Sequence, residues 1–295
     1  MNPSTTRSPL FALMLGVLAA PAAVRADEPK VTTAYDVVYS KPGGTDLKLD
    51  LSRPADGEGP FPAVLVIHGG AWRSGNKESN RGLLDAFAKR GYVAVSPQYR
   101  FCPKETFPAQ VHDVKAAVRW VKAHAKEYKV DPGHVGAVGF SAGGHLSLML
   151  GLTVPEDGLE GEVPEASPDS KIQAVVNYFG PSDLAAKDIP DVSKPLIKDF
   201  LGGTPEEKPK EVKQASPLTF VSKGDAPVLT FHGTKDPLVP HTQATKLADA
   251  LTAAGVPGRV ELLVGAGHGW GGADLQRTMA EMYEFFDRNL KPAKK

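Results

Sequence analysis

Cysteine is all but missing from this sequence: Cys102 is the only one in 295 residues. That excludes an intrachain disulfide and a cysteine metal cluster. Net charge is missing as well, because 34 Lys and Arg balance 34 Asp and Glu. Electrostatics therefore gives no reason to expect nucleic acid or an anionic membrane as a partner. No H-E-x-x-H, Walker or dinucleotide fingerprint occurs, and no internal repeat. The expectation is no metal and no organic cofactor. A membrane-spanning run is also lacking. The apolar stretch at 10–20 (LFALMLGVLAA) would make roughly 16 Å of helix, against about 30 Å of hydrocarbon to cross.

That stretch has another use. Arg7 precedes it, Pro21 interrupts it, and Val24-Arg25-Ala26 offers small residues suited to signal peptidase. Residues 1–26 are expected to be a signal peptide cleaved before Asp27, which makes the mature protein secreted or periplasmic. No cysteine stands near that point for a lipid anchor, so no stable membrane insertion is expected.

The remaining chain, 27–295, is long enough for one large core; a domain of this size buries roughly three quarters of its unfolded surface. Residues 35–39 (YDVVY) and 47–51 (LKLDL) alternate apolar and polar around a Pro-Gly-Gly stretch, which predicts an antiparallel hairpin. From Ala63 the pattern changes. The runs at 63–67, 92–95, 135–138, 174–176, 228–231 and 260–264 are largely continuous and apolar, as strands covered on both faces are. Helical spacing falls between them at 81–89, 108–127, after 141, at 242–253 and at 275–290. The alternation predicts one α/β domain: a mainly parallel, eight-stranded sheet opened by a hairpin, with helices on both faces. Two proline-punctuated stretches, 155–170 and 184–216, break the rhythm. Both are expected to be insertions bordering the functional site.

The segment at 135–150, VGAVGFSAGGHLSLML, wedges a serine among glycines where strand periodicity gives way to helix. Residues 139–143 fit G-x-S-x-G, a sharp strand-to-helix turn that lifts the serine above the sheet. Glycines are needed there because strand and helix approach closely. Ser141 sits beside the unpaired N–H groups of the helix start. A serine hydroxyl becomes a useful nucleophile when a base takes its proton and a carboxylate orients the base. His268, flanked by glycines after the last strand, is the candidate base. Asp236, in the loop after the preceding strand, is the candidate acid, with Asp183 as its rival. The order Ser141, Asp236, His268 suits this chemistry. Charge stabilisation is assigned to the H-G-G-A-W loop after the 63–67 strand. The N–H groups of Gly70 and Ala71, joined by that of Ala142, are the expected oxyanion donors, and Gly69 is able to replace either. Trp72 is a candidate substrate-pocket residue, with simple packing as the other reading.

These runs, together with YRFCPKETFPAQVHDVKAAVRWV, YFGPSDL, FHGTKDPLVP and GAGHGW, resemble the α/β-hydrolase serine carboxylesterases that carry an H-G-G motif. Within that hormone-sensitive-lipase-like group the similarity is to secreted bacterial acetyl-xylan and feruloyl-type esterases. The resemblance spans residues 68–270. It implies a carboxylic-ester hydrolase acting on short, acetyl or aromatic acyl esters, with a small-molecule or polysaccharide ester as substrate. Two positions depart from the pattern. Ala71 stands where many members have a third glycine, and Phe140 stands where Asp or His is commoner. The alternative reading is a peptidase or amidase resembling prolyl oligopeptidases or arylformamidases; a silent binding protein on the same fold is the third.

The other histidines read as structural or exposed. His68 is a loop brace, and His145 makes a hydrogen bond beneath the elbow. His112, His124, His134, His232 and His241 share no metal spacing. Asp113 braces a neighbouring loop and Cys102 is a buried or half-buried bystander. Nothing in the sequence sets the oligomeric state.

Overall fold

The structure is a computed structural model and describes residues 28–291. Residues 1–26, the expected signal peptide, lie outside the described residues. Eight strands form one sheet: β1 (Val31–Ser40), β2 (Leu47–Pro54), β3 (Phe61–Ile67), β4 (Val93–Pro97), β5 (Val130–Phe140), β6 (Ala174–Tyr178), β7 (Val228–Gly233) and β8 (Gly258–Leu263). Their order is β1-β2-β4-β3-β5-β6-β7-β8. The opening hairpin is antiparallel and β2 also pairs antiparallel with β4, whereas every pair from β4 to β8 is parallel. The central strands are buried on both faces, which is why their sequences lack polar alternation.

Side-chain alternation along each strand divides the core in two. Ala63, Leu65 and Ile67 of β3 face the layer containing α2 (Ala109–Ala123), α4 (Ala142–Leu152) and α7 (Thr242–Ala254). Val64 and Val66 face α1 (Arg81–Lys89) and α8 (Gly272–Leu290), where Phe286, Met282 and Leu290 are fully buried. The helix expected over 108–127 is two elements. It ends at His124, whose Nδ1 lies 2.8 Å from the Trp120 carbonyl, and a short turn, α3 (Ala125–Tyr128), comes next. The remaining helices, α5 (Lys194–Leu201) and α6 (Pro209–Gln214), lie within the 184–216 stretch.

The two insertions part company. Leu184, Ile189, Ser193, Leu196 and Ile197 line the cavity above Ser141, but no residue of 155–170 does. The expectation that 155–170 borders the site is therefore corrected. It comes after α4, and an eleven-residue helix carries the chain roughly 16 Å from the elbow toward the opposite rim. From that end the chain packs along α2, where Glu160 pairs with Lys115 at 2.6 Å and Arg119 at 2.7 Å, both buried. Removing one partner of a buried pair costs about 3–5 kcal/mol. Glu160→Ala should lower unfolding free energy in urea by about that amount; a loss under about 1 kcal/mol would make the segment a loosely attached loop.

Candidate active site

The elbow is built by close approach. A β-carbon on Gly139 would stand 2.1 Å from the Gly143 carbonyl oxygen, and one on Gly143 would stand 2.1 Å from that of Ile67. Neither clash can be relieved by a side chain moving, because backbone stands on the other side. Ser141 itself has φ 54° and ψ −120°, a conformation that costs a non-glycine residue about 1–3 kcal/mol. Its N–H donates to Tyr178 on the neighbouring strand at 2.9 Å, and its carbonyl accepts from His145 at 3.0 Å. Strand and helix thus both hold the strained residue.

Three side chains from separate turns meet at this point. The Ser141 hydroxyl and Nε2 of His268 are 2.8 Å apart, and Nδ1 of His268 lies 2.7 Å from Oδ2 of Asp236. A carboxylate only accepts, so Nδ1 carries the proton and Nε2 is free to take the one on serine. His268 reaches inward from the loop after β8, where Gly265 and Gly269 have φ of 81° and 116°. Phe179 packs against its ring at 4.7 Å between centroids. The Asp236 side chain is fully buried in the turn after β7, and its Oδ1 accepts from the N–H groups of Leu238 and Val239 at 2.8 and 2.9 Å. Burial pushes its pKa up, but hydrogen bonds from His232, His268 and Val239 outweigh that and hold the carboxyl well below the usual range.

Asp183 does not reach His268. Its Oδ1 accepts from the N–H of Ala185 at 3.0 Å, and Lys246 stands 3.9 Å away, so it braces the entry to the second insertion. His232, grouped in the sequence with the histidines outside the chemistry, stands beside the acid. It is buried, donates from Nε2 to the Val239 carbonyl at 2.8 Å and lies 3.4 Å from Oδ2 of Asp236. Its place at the end of β7, four residues before the acid, was the available signal.

Peptide geometry sorts the H-G-G-A-W amides. The Gly69 carbonyl accepts from Nδ1 of His68 at 2.7 Å and from the Tyr99 hydroxyl at 3.4 Å. The Gly70 carbonyl accepts from the N–H groups of Arg73 and Ser74 at 3.0 and 3.1 Å. In a planar trans peptide the N–H points opposite the carbonyl. Both pinned carbonyls therefore aim the N–H groups of Gly70 and Ala71 away from the loop interior. Among the described residues, no loop or turn hydrogen bond uses either. Ala142 opens α4, so its N–H has no intrahelical acceptor. His68 is the loop brace expected, stacked on Tyr99 at 4.4 Å. Beyond the loop, buried Lys77 pairs with Asp50 at 2.8 Å and anchors this segment to the hairpin.

Above these groups lies a cavity of about 440 Å³. Its walls are mostly apolar and include Trp72, Phe140, Leu184, Ile197, Leu238 and Val239. Trp72 both packs and lines the cavity. Phe140 supplies no polar contact and instead packs on Tyr178 at 4.8 Å. Asp113 holds Arg100 at 2.8 Å, as a loop brace does. Cys102 is buried, and burial pushes its thiol up to about 11, so it stays protonated at neutral pH. Among the described residues no cluster of three or more His, Cys, Asp or Glu is placed to hold a metal, and no helix is long and apolar enough to cross a membrane.

The sheet order, the strained elbow and the Ser-His-Asp contacts define the α/β-hydrolase class. The BD-FAE family model matches residues 49–251, and the chain belongs to the BD-FAE family. Esterase LipC of Mycobacterium tuberculosis is 33% identical over 227 residues, covering 74% of this chain and 55% of that protein. The probable carboxylic ester hydrolase LipM of the same organism is 34% identical, covering 73% and 51%. The chain thus spans about half the length of these curated relatives. Among solved structures, a truncated carbohydrate esterase from gut microbiota superposes with a TM-score of 0.76 at 29% identity, covering 90% of this chain and 99% of that one. Esterase Est2 of Thermogutta terrifontis, solved with propionate bound, gives 0.73 at 30% identity, with 91% and 97% covered.

Proposed function

We propose that the protein hydrolyses carboxylic esters of short acyl groups through an acyl-enzyme. The 2.8 Å Ser141–His268 contact at the base of an apolar cavity carries this reading. Ser141 Oγ attacks the ester carbonyl while His268 takes its proton at Nε2. Asp236 holds the tautomer and offsets the imidazolium charge. The oxyanion is met by the N–H groups of Gly70, Ala71 and Ala142, each donor of this kind being worth about 2.7–4 kcal/mol to the transition state. His268 returns the proton to the leaving alcohol. Water then attacks the acyl carbonyl by the same route and frees Ser141.

An apolar cavity of about 440 Å³ has room for a short acyl group together with part of the alcohol. The propionate complex of the Thermogutta esterase agrees with that size, and the gut carbohydrate esterase favours a sugar alcohol as the other half. Export behind the 1–26 signal belongs to the same proposal and would give access to plant polysaccharide; the mature N-terminus, read by mass spectrometry, should be Asp27. Rates on p-nitrophenyl acetate, butyrate and octanoate, methyl ferulate, acetylated xylan and an aminoacyl-proline substrate test the substrate class. Acetate and butyrate should be preferred, with acetyl release from xylan. Preference for the aminoacyl-proline substrate would replace this function with a peptidase.

A further inference from the structure

The oxyanion loop, the elbow helix and the second insertion converge on one imidazole. His145 lies one turn beyond Ser141 on α4 and is fully buried. Its Nδ1 is 3.2 Å from the indole Nε1 of Trp72, and its Nε2 is 2.7 Å from the Ala215 carbonyl. An indole nitrogen only donates and a carbonyl only accepts. Nδ1 is therefore bare and Nε2 carries the hydrogen, so a single neutral tautomer satisfies both neighbours. Burial pushes the group down to about 4, against the opposing pull of the Ala215 carbonyl, which keeps it neutral at ordinary pH.

Trp72 is held from other sides too. Phe200 of α5 stacks on the indole at 4.2 Å with an interplanar angle of 15°. The Trp72 carbonyl accepts from Cys102 at 3.0 Å, and φ at Trp72 is 56°, so its backbone has little freedom to follow a displaced ring. Only 4% of the residue is exposed, yet it lines the cavity over Ser141. We propose that His145 is a positioning residue: it fixes Trp72 as a rigid wall and thereby sets the acyl-chain length that the cavity accepts. The selectivity part rests on the ester-hydrolase reading above; the geometric part does not.

Removing the Nδ1 acceptor leaves the buried indole N–H without a partner, so the ring shifts on the Phe200 face and lengthens the space available to a chain. One methylene in an apolar pocket is worth about 10-fold or more in discrimination. His145→Leu and Trp72→Phe should therefore each raise the octanoate-to-acetate ratio of kcat/KM about 10-fold. The double variant should go no further than either single, because both break the same contact. An unchanged ratio in either single, or effects that multiply in the double, overturn the proposal. A second measurement uses no substrate. The Trp72 indole N–H resonance, assigned by its loss in Trp72→Phe, should exchange slowly with solvent in the wild type and faster in His145→Leu; equal rates overturn the proposal. Should His145→Leu not fold, His145→Asn replaces it in both measurements. Its amide oxygen restores an acceptor, so it should keep the wild-type ratio and slow exchange while Trp72→Phe does not. A shift of the ratio in His145→Asn matching that in Trp72→Phe counts against the proposal. Loss of Ser141-dependent turnover would sink the ester reading alone, with indole exchange still deciding the role of His145.

Discussion

Ser141→Ala is expected to lower kcat on p-nitrophenyl acetate by about 10⁶-fold, the scale on which a serine nucleophile contributes when its base and oxyanion donors are in place. The hydroxyl is the group at the cavity base hydrogen-bonded to His268, and alanine leaves the imidazole with no proton to take. What survives should be the rate from the amides of Gly70, Ala71 and Ala142 acting on attack by water, about 10³–10⁴ above the uncatalysed reaction. Alanine keeps the β-carbon, so the strain at φ 54° is the same in both proteins and the urea midpoint should move little. That separates lost chemistry from lost fold. Turnover within tenfold of wild type would remove Ser141 from its role, whatever its distance from His268.

How far the sequence reveals this site depends on the kind of constraint involved. The elbow is legible because its glycines answer backbone clashes: a β-carbon at Gly139 or Gly143 would stand 2.1 Å from a carbonyl oxygen, and such positions admit one residue type. The parallel strands are legible because burial on both faces removes polar alternation. Placement of 155–170 is not, since an acidic, proline-rich composition marks a loop without saying at which rim it lies. The direction and length of α4 decide that. The Trp72–His145 contact joins residues 73 apart, and His232 meets Asp236 through a turn. Neither leaves a periodic trace. A histidine whose two nitrogens serve two buried partners looks, in sequence, like any other histidine. The break after α2 is hidden for a related reason: the helix-forming residues Ala123, Ala125, Lys126 and Glu127 run straight past it while the His124 ring caps the Trp120 carbonyl.

Asp236→Asn should cost about 10⁴-fold in kcat at neutral pH while leaving the contacts nearly in place. The reason is the proton on His268. A carboxylate accepts from Nδ1 and so keeps Nε2 bare, whereas an amide turned to donate to Nδ1 moves the ring proton to Nε2, facing Ser141. The amide must also accept from Leu238 and Val239, which already engage Oδ1 at 2.8 and 2.9 Å. Its oxygen is therefore committed to that side, and its NH₂ group falls toward His268. The same substitution changes the response to acid. The native Asp236 carboxyl is held well below its unfolded value, so the stability it contributes is complete above about pH 4 and fades as pH falls toward the native value. The asparagine variant has no such term. Its melting temperature should fall less than that of wild type between pH 5 and pH 2.5. Parallel curves for the two proteins would mean that Asp236 carries no stabilising charge, and kcat reduced less than tenfold would mean that it does not hold the His268 tautomer.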